Sequence, residues 1–121
     1  MTNLDLAHLH STEQQALREF AQLLQEQFSN LVQLVLLFGS KARGDDDLSS
    51  DLDVLVVVDS DDWRLHKQIR YLAADICLKY NLNLSPRVWS ISHFQEMEAM
   101  EASLYQNIRR DGLTLLERDL V

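Results

Sequence analysis

The chain has 121 residues, of which 46% are hydrophobic and 25% are charged, so it is long enough for one folded domain and too short for two. We therefore expect a single domain over residues 1–121. The only cysteine, Cys77, excludes an intrachain disulfide, and the N-terminal residues lack the apolar run of a signal peptide. No apolar stretch approaches the ~20 residues of a membrane span, so we expect a cytoplasmic protein without membrane contact.

The net charge of −8 is concentrated in one part of the sequence. Of the 19 acidic residues, eight lie in the window 45–62, which contains no Lys or Arg. Such a window repels a phosphate backbone, so we expect no direct nucleic-acid binding. Clustered carboxylates suit a divalent cation, although an acidic loop exposed to solvent has the same composition.

Apolar periodicity predicts seven helices and strands. Ser11 and Gln14 fit a capping box at the start of the first helix, Pro86 indicates an edge strand, and a break of the last helix near Met100 is left open. The predicted elements are a helix over Thr12–Phe28, strands over Leu31–Phe38 and Leu52–Val58, a helix over Asp61–Tyr80, a strand over Asn83–Ile91, a helix over Ser92–Arg110 and a strand over Leu113–Glu117. This order predicts an α/β (α+β) fold with a small mixed β-sheet flanked by helices.

The loop between the first two strands joins two polar pairs. Gly39 and Ser40 follow the first strand, and Asp51 and Asp53 open the second. The loop is too short for a parallel crossover, so we expect antiparallel pairing, which brings all four residues to one edge of the sheet. Asp51 and Asp53 are two positions apart on a strand, and their side chains therefore share one face.

These four residues have the chemistry of a metal-dependent phosphate site. Two adjacent carboxylates repel each other unless a cation binds, and Mg²⁺ held by two carboxylates commonly takes further ligands from substrate phosphates. Gly39 allows another group to approach the backbone closely. A helical turn that opens at Ser40 would offer N–H donors to a phosphate.

The segment GSKARGDDDLSSDLDVLVVV resembles the signature of the minimal nucleotidyltransferase (MNT) domain of the DNA polymerase β superfamily. That signature is Gly-Ser, ten residues and then Asp-x-Asp in an apolar strand, and it is matched here without a gap. The ARG triplet at 42–44 and the later segments SPRVWS and NIRRDG are also similar to the family. The resemblance implies the minimal nucleotidyltransferase fold, Mg²⁺ as cofactor and ATP as substrate. It assigns catalysis and metal binding to Asp51 and Asp53, and phosphate binding to Gly39 and Ser40.

The third strand departs from the pattern of this family. Catalytic members carry a third carboxylate there, which helps to hold the metal and acts as, or beside, the base for the attacking hydroxyl. The strand reads NLNLSPRVWS here and contains no acid. Asn83 or Ser85 occupies the corresponding place, and Asn83 is our candidate for the third-acid position. The departure implies weak activity.

The resemblance also implies a partner. Short proteins of this kind are typically paired with a helical HEPN-domain RNase toxin, and they act as its antitoxin by moving AMP from ATP to a toxin tyrosine within a hetero-oligomer. Because the chain matches a catalytic domain alone, we expect the partner to supply the acceptor. One alternative is a degenerate, non-catalytic MNT protein that neutralises its HEPN partner by binding. Another is an antibiotic-modifying nucleotidyltransferase, against which the short chain argues.

Two basic residues of the loop have two interpretations that the sequence leaves open. Lys41 and Arg43 could contact a triphosphate, or they could pair with the acids at 45–47 and order the loop. Trp63 and Trp89 are interpreted as packing or partner-contact residues rather than platforms for base stacking.

Overall fold

The computed structural model describes residues 8–44 and 51–117, with Ser40 described by its backbone alone. None of the helices in these ranges is long and apolar enough to cross a membrane. The elements are α1 (Ser11–Phe28), β1 (Val32–Phe38), α2 (Ser40–Arg43), β2 (Leu52–Val58), α3 (Trp63–Tyr80), β3 (Leu84–Ser90), α4 (Ile91–Ala99), α5 (Ser103–Asp111) and β4 (Leu113–Glu117).

The four strands form one mixed sheet in the order β3-β2-β1-β4. β1 pairs antiparallel with both β2 and β4, whereas β2 pairs parallel with β3 across the α3 crossover. β3 lies at an edge of this sheet, as Pro86 predicted, because proline has no N–H to donate to a further strand. The predicted fold class, a small mixed sheet flanked by helices, is confirmed.

The sheet is covered on both faces, which is why β2 is almost wholly apolar. Val54 and Val56 pack into a core with α1 and α3, whereas Leu55 and Val57 pack into a second core with α4 and α5. Because side chains alternate along a strand, Asp53 belongs to the face of Leu55 and Val57. It lies at the start of the strand, where it is half-buried rather than enclosed.

The predicted N-cap of α1 is wrong by one residue. The cap is His10 rather than Ser11, and its backbone N–H donates to Oε1 of Glu13 at 3.0 Å. A carboxylate accepts a hydrogen bond more strongly than an amide, so Glu13 takes the place predicted for Gln14. The side chain of Gln14 donates instead to the carbonyl of Leu9.

The last predicted helix consists of two helices, with the break near Met100 that the sequence left open. α4 ends at Ala99, and Glu101 adopts a left-handed backbone with φ of 51° before α5 begins at Ser103. The break lets both short helices pack their apolar sides, which include Phe94, Tyr105 and Ile108, onto the sheet.

Candidate functional site

The end of β1 and the start of β2 meet at one edge of the sheet. Phe38, the last residue of β1, pairs with Asp53 in the antiparallel register. Gly39 follows at once, so the loop begins directly beside the second aspartate. Asp51 and Asp53 lie on the same face, Asp51 exposed to solvent and Asp53 half-buried. The structure thus brings the predicted glycine and acid pair together.

Gly39 is held in place by two independent constraints. Its φ is +79°, which is a left-handed conformation that other residues adopt only at a cost. A Cβ atom at this position would also lie 2.6 Å from Oδ2 of Asp53, which is closer than real Cβ contacts allow. Glycine therefore permits the contact between the loop and the carboxylate.

The two carboxylates are electrostatically coupled. Burial raises the pKa of Asp53 above its usual value, and the neighbouring charge of Asp51 raises this pKa further. The guanidinium of Arg87 acts in the opposite direction. Arg87 pairs with Leu55 in the β2–β3 register, so it lies one step along the same face. A cation between the carboxylates would relieve both the burial penalty and the mutual repulsion.

The loop continues as the helical turn that the sequence predicted at Ser40. The backbone amides of Ala42 and Arg43 donate to the carbonyl of Gly39 at 3.1 and 3.2 Å. These two amides are therefore used within the turn, and a phosphate contact has to use the amides before them. The hydroxyl of Ser40 lies outside the described residues, so its predicted phosphate contact stays a prediction.

Lys41 is a buried charge in the described part of the loop. Its side chain has no exposed area, and its Nζ lies 2.6 Å from Oε2 of Glu13 in α1. Its carbonyl is 2.5 Å from Nε2 of His8, a second contact with the segment around the start of α1. The sequence does not indicate this role for Glu13, because no local pattern relates it to the loop. The acids proposed as partners of Lys41, at 45–47, lie outside the described residues.

Arg43 connects the loop to the end of α5. Its Nη1 lies 3.5 Å from Oδ2 of Asp111, and Arg110 also donates to this carboxylate at 3.0 Å. The hydrogen bond from Arg110, and to a lesser extent the contacts with Arg43, hold the pKa of Asp111 below its usual value. The NIRRDG segment, which ends in Asp111 and Gly112, therefore contacts the ARG triplet.

The parallel register of β2 and β3 places a residue beside the acid pair. Ser85 pairs with Asp53 and shares its face of the sheet. Asn83, the candidate for the third-acid position, lies just before β3, where its carbonyl accepts from the N–H of Leu52 at 2.8 Å. Within residues 8–44 and 51–117, no three His, Cys, Asp or Glu side chains form a group that could hold a metal ion. The register thus places Ser85 directly opposite Asp53 and Asn83 one step before β3, and the role of either residue at the third-acid position stays a prediction.

Residues 17–113 match the model of the family described as a nucleotidyltransferase domain. The match includes the loop and the acid pair, and the chain belongs to this family. It is therefore an enzyme of the nucleotidyltransferase class, and its substrate is a nucleotide.

Two relatives from Methanocaldococcus jannaschii carry the name "Putative protein adenylyltransferase". MJ0604 is 30% identical over 103 residues, which are 85% of this chain and 97% of the relative. MJ0141 is 36% identical over 74 residues, which are 60% of this chain and 75% of the relative. These matches confirm the resemblance on which the sequence analysis relied.

Two solved structures share the fold. A chain of the crystal structure of a mutant MntA-HpeT toxin–antitoxin has a TM-score of 0.55 at 21% identity, covering 85% of this chain and 74% of that chain. A chain of a toxin–antitoxin structure with AMP-PNP has a TM-score of 0.54 at 18% identity, covering 84% and 74%. At these identities the likeness establishes a common fold.

Proposed function

We propose that this chain is an antitoxin that transfers AMP from ATP to a tyrosine of a HEPN-domain RNase toxin, with Mg²⁺ as cofactor. The observation that carries the proposal is the close approach of Gly39 to Asp53, two residues from Asp51, at one edge of the sheet. The relatives named as protein adenylyltransferases support a protein acceptor, since one of them aligns over 97% of its length. The toxin–antitoxin structures with the same fold support the antitoxin role.

Asp51 and Asp53 are the residues that would hold Mg²⁺. The donor set fits this ion, because two carboxylates on one face suit a hard cation whose remaining ligands come from phosphates. Burial and the charge of Asp51 both disfavour the ionised form of Asp53, and a bound cation would offset both effects. When bound, the metal neutralises charge on the triphosphate and favours departure of pyrophosphate.

The loop residues bind and orient the triphosphate. Gly39 lets the loop approach the carboxylate of Asp53, and the first amides of the α2 turn, from Ser40, would donate to a phosphate held beside the acid pair. Glu13 and Asp111 keep the turn in position through Lys41 and Arg43. A turn held in this way would orient the triphosphate toward the acceptor, and such positioning is the main task in phosphoryl-type transfer.

The transfer forms one bond and breaks one bond. The tyrosine oxygen bonds to the α-phosphorus of ATP, the bond from that phosphorus to the bridging oxygen breaks, and pyrophosphate leaves with the electron pair. The phenolic proton passes to solvent, since β3 carries no acid beside Asp53. A phenol has a pKa of about 10 and is far more acidic than an aliphatic hydroxyl, which favours tyrosine as the acceptor.

The test is the mass of the partner after reaction. The chain is mixed with ATP, Mg²⁺ and the proposed partner, a HEPN-domain RNase sought in the adjacent reading frame, and the partner is weighed by intact mass spectrometry. We expect the added mass of AMP on a tyrosine with the wild type and no addition with Asp51→Asn or Asp53→Asn. Asp59→Asn, at the opposite end of β2, is the matched control and should transfer normally. Neutralisation of the toxin without any mass change would contradict the proposal.

A second candidate function is neutralisation by binding alone. The observation that favours it is Ser85, an uncharged residue opposite Asp53 on β3, the strand on which catalytic members of the resembled family carry a third carboxylate. A binding-only antitoxin would protect against the toxin equally well with Asp51 and Asp53 both changed to Asn. The enzyme would lose protection with those changes while keeping its affinity for the partner.

A further inference from the structure

We propose that the exposed face of α3 and the groove between α3 and β3 form the docking surface for the acceptor protein, through a segment of that protein that carries apolar side chains flanked by carboxylates. The inference deepens the proposed function and rests on it. We call this region the α3–β3 surface, and its main residues are Trp63, Lys67, Arg70, Leu78, Leu84 and Pro86.

The α3–β3 surface includes the exposed apolar side chains of α3. Trp63, Lys67, Arg70, Ala74 and Leu78 recur at spacings of three and four and therefore share one side of the helix. Trp63 is 61% exposed and Leu78 is 83% exposed, although both are large hydrophobic side chains. This side of α3 points away from both cores, so Trp63 and Leu78 do not serve the packing of residues 8–44 and 51–117.

A groove continues this surface onto the edge strand. It has a volume of about 490 Å³ and is lined by side chains that include Ala74, Leu78, Leu84 and Pro86. An added strand would pair poorly with β3, because Pro86 has no N–H. The occupant that fits is a helix or loop whose apolar side chains enter the groove. The stripe from Trp63 to Leu78 is about 22 Å long at the usual helical rise, enough for several turns of a partner helix.

The α3–β3 surface is basic, whereas the chain as a whole is acidic. Although the net charge is −8, this side of α3 carries Lys67 and Arg70, with Arg64 beside them. Lys67 lies over the rings of Trp63 and Tyr71, at 5.7 and 5.5 Å from their centroids, so cationic and apolar groups are combined in one patch. A partner with carboxylates around an apolar strip is complementary to this pattern.

A second copy of this chain is a poorer occupant. A two-fold interface through this side of α3 would cross near the middle of the stripe, where Arg70 would face Arg70 of the other copy. Asp75 does not offset this repulsion. It is exposed, but it lies off this stripe, in a separate pocket lined also by Tyr71, Gln68 and Phe28.

One end of the α3–β3 surface lies at the same edge of the sheet as the acid pair. Leu84 pairs with Leu52, which stands between Asp51 and Asp53 in sequence. Leu84 packs into the α1 and α3 core, so it and the acids project from opposite faces of the sheet at the same edge. A protein docked in the groove could therefore pass a chain around the start of β3 and present its acceptor hydroxyl to the site.

Three exposed positions test the surface. Leu78→Glu and Lys67→Glu each make the α3–β3 surface more acidic. Met100→Glu is the matched control, because Met100 is 69% exposed and caps α4 on the other side of the sheet. Affinity for the proposed HEPN-domain partner is measured by calorimetry, and ATP affinity with Mg²⁺ is measured separately. We expect partner affinity to fall about tenfold or more for Leu78→Glu and Lys67→Glu. Met100→Glu should bind the partner normally, and ATP affinity should stay unchanged in all three.

The outcomes separate this inference from the proposed function. Wild-type affinity for the partner in both Leu78→Glu and Lys67→Glu overturns the docking surface, even if AMP transfer is confirmed. Loss of binding in these variants supports the surface, even if no AMP is transferred. Sedimentation of the chain without its partner tests whether the α3–β3 surface binds a second copy of the chain. If the wild type is a dimer and Leu78→Glu is a monomer, the inference is overturned in favour of self-association.

Discussion

The backbone of Gly39 lies so close to the carboxylate of Asp53 that a single added methyl group would stand 2.6 Å from Oδ2. This contact joins the end of β1 to the start of β2 and sets the distance between the loop and the acid pair. The loop and the acids consequently act as one unit, and a change in either should be measurable in the other.

Gly39→Ala should damage both stability and nucleotide binding. The left-handed backbone alone costs a non-glycine residue about 1–2 kcal/mol, and the contact with Asp53 adds to this cost. Gly44→Ala is the matched control, because Gly44 has a similar φ of +82° but its nearest neighbour would be a His8 side-chain atom at 3.6 Å. Urea unfolding should show a larger loss of stability for Gly39→Ala than for Gly44→Ala. Equal losses would mean that backbone strain alone accounts for the glycine.

Asp53→Asn should stabilise the chain at neutral pH when no divalent cation is present. The folded-state pKa of Asp53 is raised, mainly by burial and then by Asp51, so its ionised form opposes folding. The free-energy cost of the ionised Asp53 is fully present at pH values above its pKa in the folded chain. This cost is absent below its pKa in the unfolded chain, where Asp53 is protonated in both states. The advantage of Asn should therefore shrink as pH falls through that interval.

The measurement is urea unfolding with a chelator present, over a series of pH values, with the exposed Asp59→Asn as the control. Added Mg²⁺ should stabilise the wild type and not Asp53→Asn, because only a bound ligand shifts the folding equilibrium. If Asp53→Asn is less stable than the wild type at neutral pH with the chelator present, the prediction is contradicted.

Breaking the Glu13–Lys41 pair should destabilise the loop. Glu13→Gln keeps an oxygen for the N-cap of α1 but removes the charge that faces a fully buried ammonium group. Removing the charge of one partner of a buried pair is destabilising, whereas replacing both partners by uncharged residues costs less. The double variant Glu13→Gln/Lys41→Met should therefore be more stable than Glu13→Gln alone.

A double-mutant cycle of urea midpoints measures this coupling. We also expect the KM for ATP to rise in Glu13→Gln, since the pair supports the turn that begins at Ser40. Additive effects of the two substitutions would show that Glu13 and Lys41 contribute independently.

Ser85→Asp should accelerate AMP transfer to the partner. The register places this residue beside Asp53 on the same face, where a carboxylate could accept the phenolic proton and add a metal ligand. Asn83→Asp is the comparison, because Asn83 lies before β3 at the level of Asp51. We expect a rate increase on the order of tenfold or more for the better placed of the two acids. Unchanged rates in both variants would show that the missing carboxylate does not limit the reaction.

The amino-acid sequence determined the parts of this protein that depend on local pattern. The bounds of β2, the turn at Ser40 and the edge position of Pro86 follow from apolar runs and from the backbone properties of glycine and proline. The short loop between two apolar strands required antiparallel pairing, and this pairing placed Gly39 beside the acid pair.

The tertiary structure decided which distant residues support the site. Glu13 reaches Lys41 only because α1 packs on the sheet beside the loop, and Asp111 reaches Arg43 only because α5 ends there. Likewise, the register across the α3 crossover, which no local signal encodes, places Ser85 beside Asp53. These contacts depend on the relative positions of packed elements, and such positions result from the sum of many weak interactions rather than from any single motif.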